Sequence, residues 1–205
     1  MVTTQRTDKR THILNVAGKL FLEKGFAGTS MGDIAKAGAG SKGTLYTYFD
    51  SKEQLFEEYM RLEIRSRSTP VFDLPEEIDD TVSVLHDFGV RYLKLTTDPI
   101  VVEILRTVVA EAVRFPEISE LFHEEGPHAG HVKLKAFLKR CTEQRHLVID
   151  DIELAASQFN RLCQAQIMLD FLFGVRKAPT DEEIDHIVTE AVRVFMAAYG
   201  SVAEK

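Results

Sequence analysis

Between Thr29 and Phe56 the sequence runs TSMGDIAKAGAGSKGTLYTYFDSKEQLF, and the spacing of its capping residues admits little but short helices around a tight turn. Ser30 precedes an apolar-periodic stretch, and Asp33 follows three residues later, where a side chain reaches back to the cap. That pattern predicts a helix over Met31–Ala37. Gly38-Ala39-Gly40 ends it, because glycine takes positive φ without steric cost. Ser41 caps a second short helix, Lys42–Tyr48. Ser51, with Gln54 three residues on, caps a longer helix that continues to about Ser68.

Two short helices across a glycine-bearing turn form the helix-turn-helix pattern. Its second helix enters the DNA major groove with its N-terminal residues at the base edges. Ser41–Tyr48 suits that task, with a cation (Lys42), no acid, and hydroxyls at Ser41, Thr44, Tyr46, Thr47 and Tyr48. Gly43 costs up to about 1 kcal/mol of helix propensity, and its bare backbone allows a phosphate to approach closely. Leu45 and Phe49, four apart, face the core. Thr29 and Ser30 place further hydroxyls before the first helix, and that of Thr29 is expected to hold a phosphate. Lys52 lies in the first turn of the third, where the helix N-terminus already favours an anion. The candidate DNA-binding set is thus Thr29, Ser30, Ser41, Lys42, Gly43, Thr44, Tyr46, Thr47, Tyr48 and Lys52.

The run SKGTLYTYFDSKEQLF resembles the DNA-binding domain of the TetR family of transcriptional repressors. The family pattern is approximately I-A-x-x-A-G-V-S-x-G-T-L-Y-x-Y-F-x-S-K-E-x-L. Ile34, Ala35, Ser41, Gly43, Thr44, Leu45, Tyr46, Tyr48, Phe49, Ser51, Lys52, Glu53 and Leu55 match it, and the likeness covers roughly the first 60 residues. It implies an all-α, TetR-like fold of about nine helices. Residues 1–52 would form a three-helix DNA-binding domain, and residues 53–205 a helical effector-binding and dimerisation domain. It also implies a phosphate contact at Lys52, a homodimer through the last two helices, a double-stranded DNA operator and a small-molecule pocket in the body. One departure stands out. Where the family has Ala-Gly-Val, this chain has Gly38-Ala39-Gly40. Alanine at positive φ is strained, so the turn is expected to shift onto a flanking glycine.

Net charge is −7, against expectation for a DNA binder, but its distribution accounts for it. Residues 1–52 carry eight cations and four acids, and the remainder seventeen cations and twenty-eight acids. A basic head on an acidic body presents one end to phosphates. The start, MVTTQRTDKR, lacks the apolar stretch of a signal peptide. No apolar run approaches the roughly 20 residues of a membrane span. Cys141 and Cys163 have no metal or redox spacing and read as buried, reduced thiols of a cytoplasmic protein.

Residues 1–7 read as a polar arm in which Arg6, with Lys9 and Arg10 just beyond, could meet phosphates. A helix over about Asp8–Lys24 follows, ended by Gly25. Arg61, Arg65 and Arg67 on the fourth helix read as solvated. Beyond a proline-bounded connector, helices are predicted from Glu76 to about Leu95 and from Asp98, as cap, to about Arg114. A short one starts at Pro116 and is interrupted at Gly126-Pro127, and another spans Ala129–Gln144. The Asp98–Arg114 helix is apolar enough to be central. Asp150 is expected to cap an unbroken helix to Phe173, and Thr180, with Glu183, the last one.

His123, His128 and His131 near Glu124 and Glu125 match no metal motif and read as a polar bend, and no cofactor is implied. No nucleophile elbow, Walker loop or zinc-protease pattern occurs, so the chain is not expected to be an enzyme. Candidate effector-lining residues are Phe88, Tyr92, Leu105, Phe122, Met168 and Phe171, which suit an apolar or aromatic molecule. The leading expectation is a cytoplasmic, ligand-responsive repressor of a palindromic operator, with no membrane partner. The alternative is a DNA-binding activator or adaptor without an effector.

Overall fold

The computed structural model describes residues 2–201, with side chains from Thr7 onward. It is all-α, with no strand among the described residues. The helices are α1 (Val2–Lys24), α2 (Met31–Ile34), α3 (Lys42–Tyr48), α4 (Lys52–Ser68), α5 (Thr81–Thr96) and α6 (Pro99–Glu111). They continue with α7 (Pro116–His123), α8 (Ala129–Glu143), α9 (Ile152–Gln164), α10 (Ile167–Leu172) and α11 (Asp181–Tyr199). The chain forms two compact units: residues 1–65 with 103–125, and residues 66–102 with 126–205.

In the first unit α1 starts at Val2, not Asp8. The polar residues ahead of Asp8 include no glycine or proline, and polarity alone does not end a helix. The arm is therefore helical backbone, while the Arg6 side chain lies outside the described residues. Gly25, at φ 74°, closes α1 as expected. Phe21, Phe26 and Phe56 pack together and accept Phe115 edge-on against Phe26, with ring centroids 5.1 Å apart. Gly18 lies directly under the Tyr59 ring, leaving no room for a Cβ.

Arg61 and Arg65 are not free in solvent. Both donate to Glu125, Arg65 through two nitrogens at 2.6 and 2.8 Å. Arg67 pairs with Asp98 in the second unit. Hydrogen bonding from Arg65, ahead of its charge and those of Arg61, holds the Glu125 carboxyl below its ordinary 4.5. A carboxyl depressed on folding stabilises above its unfolded pKa and loses that contribution as pH falls through the folded value. Glu125→Gln should therefore lower the denaturation midpoint at pH 7, and the gap from the parent should close on acidification below pH 4. Parallel urea titrations at the two pH values measure this.

The second unit buries its core among α5, α8, α9 and α11. Phe88, Phe137, Phe159 and Phe195 are all but fully enclosed. Helix α5 begins at Thr81 instead of Glu76, because the Asp80 side chain accepts from the Ser83 N–H at 3.0 Å and fixes the start. Asp98 caps α6 as expected, accepting from Ile100 and Val101. That helix stops at Glu111 and is not buried all round, since Val109 is 62% exposed. A single wide turn, Glu124–His128, carries Pro127 between α7 and α8 where an interruption was expected. A wider turn accommodates a proline ring that a regular one would strain.

Asp151, not Asp150, caps α9, and the helix breaks at Ala165 (φ 43°) before α10 resumes. The Thr180–Glu183 capping box starts α11 as expected. Cys141 and Cys163 are buried and unpaired with each other, and burial pushes the Cys163 thiol up to about 12. His131 is drawn to Glu153 beside Lys135, and no metal-binding group of His, Cys, Asp or Glu occurs among the described residues.

Candidate nucleic-acid interface

The interface is built from caps. Ser30 accepts from the Asp33 N–H at 3.2 Å while the Asp33 carboxylate accepts from the Ser30 N–H at 3.1 Å, closing the predicted box. The Ser30 hydrogen bonds hold the Asp33 carboxyl below its ordinary value. After Ile34 the chain makes a wide turn, Ala35–Ala39, instead of continuing α2 to Ala37. Gly38 (φ 103°) and Gly40 (φ 125°) take the left-handed backbone, and Ala39 between them is fully buried. The strain expected of Ala39 is thus avoided by the glycines on either side.

Ser41 starts α3 by accepting from the Thr44 N–H at 3.0 Å, and its hydroxyl meets that of Thr44 at 2.8 Å. Leu45 and Phe49 turn inward and are fully enclosed. This leaves Ser41, Lys42, Gly43, Tyr46 and Thr47 exposed along one face, with Thr44 and Tyr48 half-buried at its edges. Tyr46 is 48% exposed, although it is a large aromatic residue on a short helix. The Thr47 hydroxyl donates to the Gly43 carbonyl at 3.0 Å. Lys42 is the cation of this face, and no acid lies on α3.

Two candidates sit elsewhere than expected. Thr29 is only 2% exposed, and its hydroxyl donates to the Gly25 carbonyl at 2.8 Å, with that of Leu20 also in reach at 3.2 Å. Its single hydroxyl hydrogen is engaged inside the head, which corrects the expected phosphate contact. The Lys52 ammonium donates to the Phe26 carbonyl at 2.8 Å and lies 4.0 Å from the centre of the Phe26 ring. It is half-buried and keeps further N–H groups beyond that bond. Arg10 is likewise drawn inward, paired with Glu58 and stacked over Phe49. These long-range pairings carry no local sequence signal.

The six effector candidates divide between the compact units: Leu105 and Phe122 in the first, Phe88, Tyr92, Met168 and Phe171 in the second. Phe88 is enclosed and stacks on Tyr92, with ring centroids 5.8 Å apart. The Tyr92 hydroxyl accepts from Gln164 at 3.1 Å, and burial pushes its pKa up to about 12. Met168 and Phe171 are half-buried on α10. Gln164 escaped the sequence reading because glutamine at a helix end is ordinarily solvated.

The outer face of α9 and α11 is apolar for a surface. Leu154 and Val194 are 50% and 42% exposed, beside exposed Ala197 and Ala198. A groove of about 370 Å³ between the two helices is lined by Gln158, Arg161, Leu162, Val194, Ala198 and Tyr199, among others. No helix among the described residues is long and apolar enough to cross a membrane.

Two protein-family models match the sequence. One, described as bacterial regulatory proteins of the tetR family, matches residues 13–59, and the other, the C-terminal domain of AefR-like transcriptional repressors, matches residues 83–201. The HTH-type transcriptional regulator UidR of Escherichia coli K12 is 31% identical over 197 residues, covering 92% of this chain and 88% of UidR. Among solved structures, the flavonoid-responsive regulator FrrA is 34% identical with a TM-score of 0.82, spanning 95% of this chain and 98% of that one. A TetR-family regulator from Mesorhizobium loti superposes with a TM-score of 0.85 at 25% identity, over 95% and 98% of the two chains.

Proposed function

This chain belongs to the TetR family of DNA-binding transcriptional regulators, and we propose that it is a homodimeric repressor released from a palindromic operator by a small aromatic effector. The observation that carries the proposal is the outer face of α3. Lys42, Gly43, Tyr46 and Thr47 stand exposed there, without an acid, on a helix fixed at both ends. Ser41, Thr44 and Tyr48 extend that face, Ser30 flanks it, and Lys52 offers its remaining N–H groups to a phosphate. The DNA contacts fall within residues 1–52, and residues 53–205 supply effector binding and dimerisation. The protein works in the cytoplasm, with access to the chromosome.

One short helix discriminates by only about 1–3 kcal/mol per base contact. Two heads on a two-fold axis read half-sites about 34–36 Å apart, or a multiple of that. The apolar face of α9 and α11 supports dimerisation through those helices. The stacked Phe88 and Tyr92 rings, and the flavonoid response of the similar regulator FrrA, support an aromatic effector. The effector acts by binding the two states of the dimer with different affinity.

Selection of fragments from genomic DNA by the full-length protein tests the reading. A palindromic site should be enriched, and a band shift at low salt should reverse with an aromatic ligand. Tyr46→Ala should weaken the selected site by roughly 1–3 kcal/mol while leaving non-specific binding nearly unchanged. Lys52→Gln should weaken both and flatten the salt slope by about one unit. Enrichment of no site, or equal losses on all sequences for Tyr46→Ala, would overturn base reading by α3.

A further inference from the structure

We infer that His12 is a specificity-determining positioning residue, which braces the helix-turn-helix turn from α1 and so sets the pose of α3; this rests on the reading role proposed for α3. Its Nε2 lies 3.2 Å from the Gly38 carbonyl oxygen, across twenty-six residues of sequence. The imidazole donates and the carbonyl accepts. Carbonyls at a helix C-terminal turn lack an intrahelical partner, and His12 supplies one.

This turn has particular need of a brace. Gly38 and Gly40 both hold positive φ, and glycine is the residue with the most backbone freedom to lose. Gly40 has no side chain to anchor it, and the site a Cβ would fill borders the Thr44 side chain at 3.4 Å and the Lys9 ammonium at 3.6 Å. Ala39 anchors the turn with a single buried methyl. On the far side of α3, Arg10 stacks over Phe49 with its guanidinium 4.9 Å from the ring centre, and it pairs with Glu58 on α4. Helix α1 thus grips the chain on both sides of α3: His12 on Gly38 ahead of it, Arg10 on Phe49 behind it. Arg10, which read from the sequence as a phosphate contact, is one jaw of this bracket, and His12 is the other. His12 acts through the turn and touches no base.

The test uses full-length protein and two probes: a duplex enriched from a random-sequence library by the wild type, and an unselected duplex of the same length. Affinities are measured over a potassium chloride series. His12→Ala should lower the preference for the enriched duplex about five- to tenfold, as expected for one lost hydrogen bond, with the salt slope unchanged. His12→Gln, whose amide also donates, should retain most of the preference. An undiminished preference in His12→Ala would overturn the inference, as would a slope lowered by about one, which marks a phosphate contact. Equal impairment of the glutamine variant would also overturn it, and circular-dichroism melting of both variants separates loss of pose from loss of fold. Should the wild type enrich no duplex at all, the reading role of α3 fails first.

Discussion

Phe56→Ala is expected to cost about 3–5 kcal/mol, the range for deleting an enclosed aromatic side chain. Phe56 is fully buried and meets Phe21 edge-on at 5.1 Å and Phe26 at 5.2 Å. Removing its ring takes away both contacts and leaves a cavity walled by the remaining rings, which Phe115 and the backbone around Phe26 cannot fill without moving. Phe26 also presents the carbonyl that receives Lys52. The loss should therefore reach DNA binding as well as stability. Urea denaturation followed by circular dichroism should show the first unit melting well before the second. A change under about 1 kcal/mol would mean that the aromatic cluster is not the keystone of the head.

Leu154→Glu combined with Val194→Glu is expected to convert the proposed dimer to monomer and to weaken operator binding at least about 100-fold. Both side chains are roughly half exposed on α9 and α11, so the substitutions leave the core of either helix untouched. Carboxylates on a face that meets its own two-fold copy are brought close to each other and desolvated, which is costly. The drop in affinity follows from geometry: once the heads are no longer tied together, the second half-site is no longer filled at high effective concentration. Light scattering at micromolar protein gives the mass, and band shifts give the affinity. A double variant that remains a dimer would place the interface elsewhere.

The parts of the fold that were legible in the sequence are those set by neighbouring residues. Ser30 with Asp33 and Thr180 with Glu183 cap as their spacing predicts, and Ser41 opens α3 as expected. The turn shifts its positive φ onto the glycines beside Ala39, as expected. What was not legible depends on residues far apart in sequence. Arg61 and Arg65 read as solvated until Glu125, some sixty positions on, is brought to them. Thr29 looks available to a phosphate until the carbonyl groups of Leu20 and Gly25 take its hydroxyl. The break at Ala165 has no glycine or proline to announce it, since its neighbours are Gln164 and Gln166. Asp79-Asp80 and Asp150-Asp151 each offer adjacent capping acids, and the second of each pair is the one that caps.

The stretch from Glu103 to Glu125 folds as part of the head's compact unit, giving it the Phe115 ring and the Glu125 carboxylate. Domain shuffling is therefore awkward for this molecule. A chimera made by one crossover after α4 would separate Phe26 from Phe115, and Arg61 and Arg65 from Glu125. Exchange of reading specificity between such regulators is cleaner by point substitution along α3, or by a two-piece graft that carries residues 103–125 with the head.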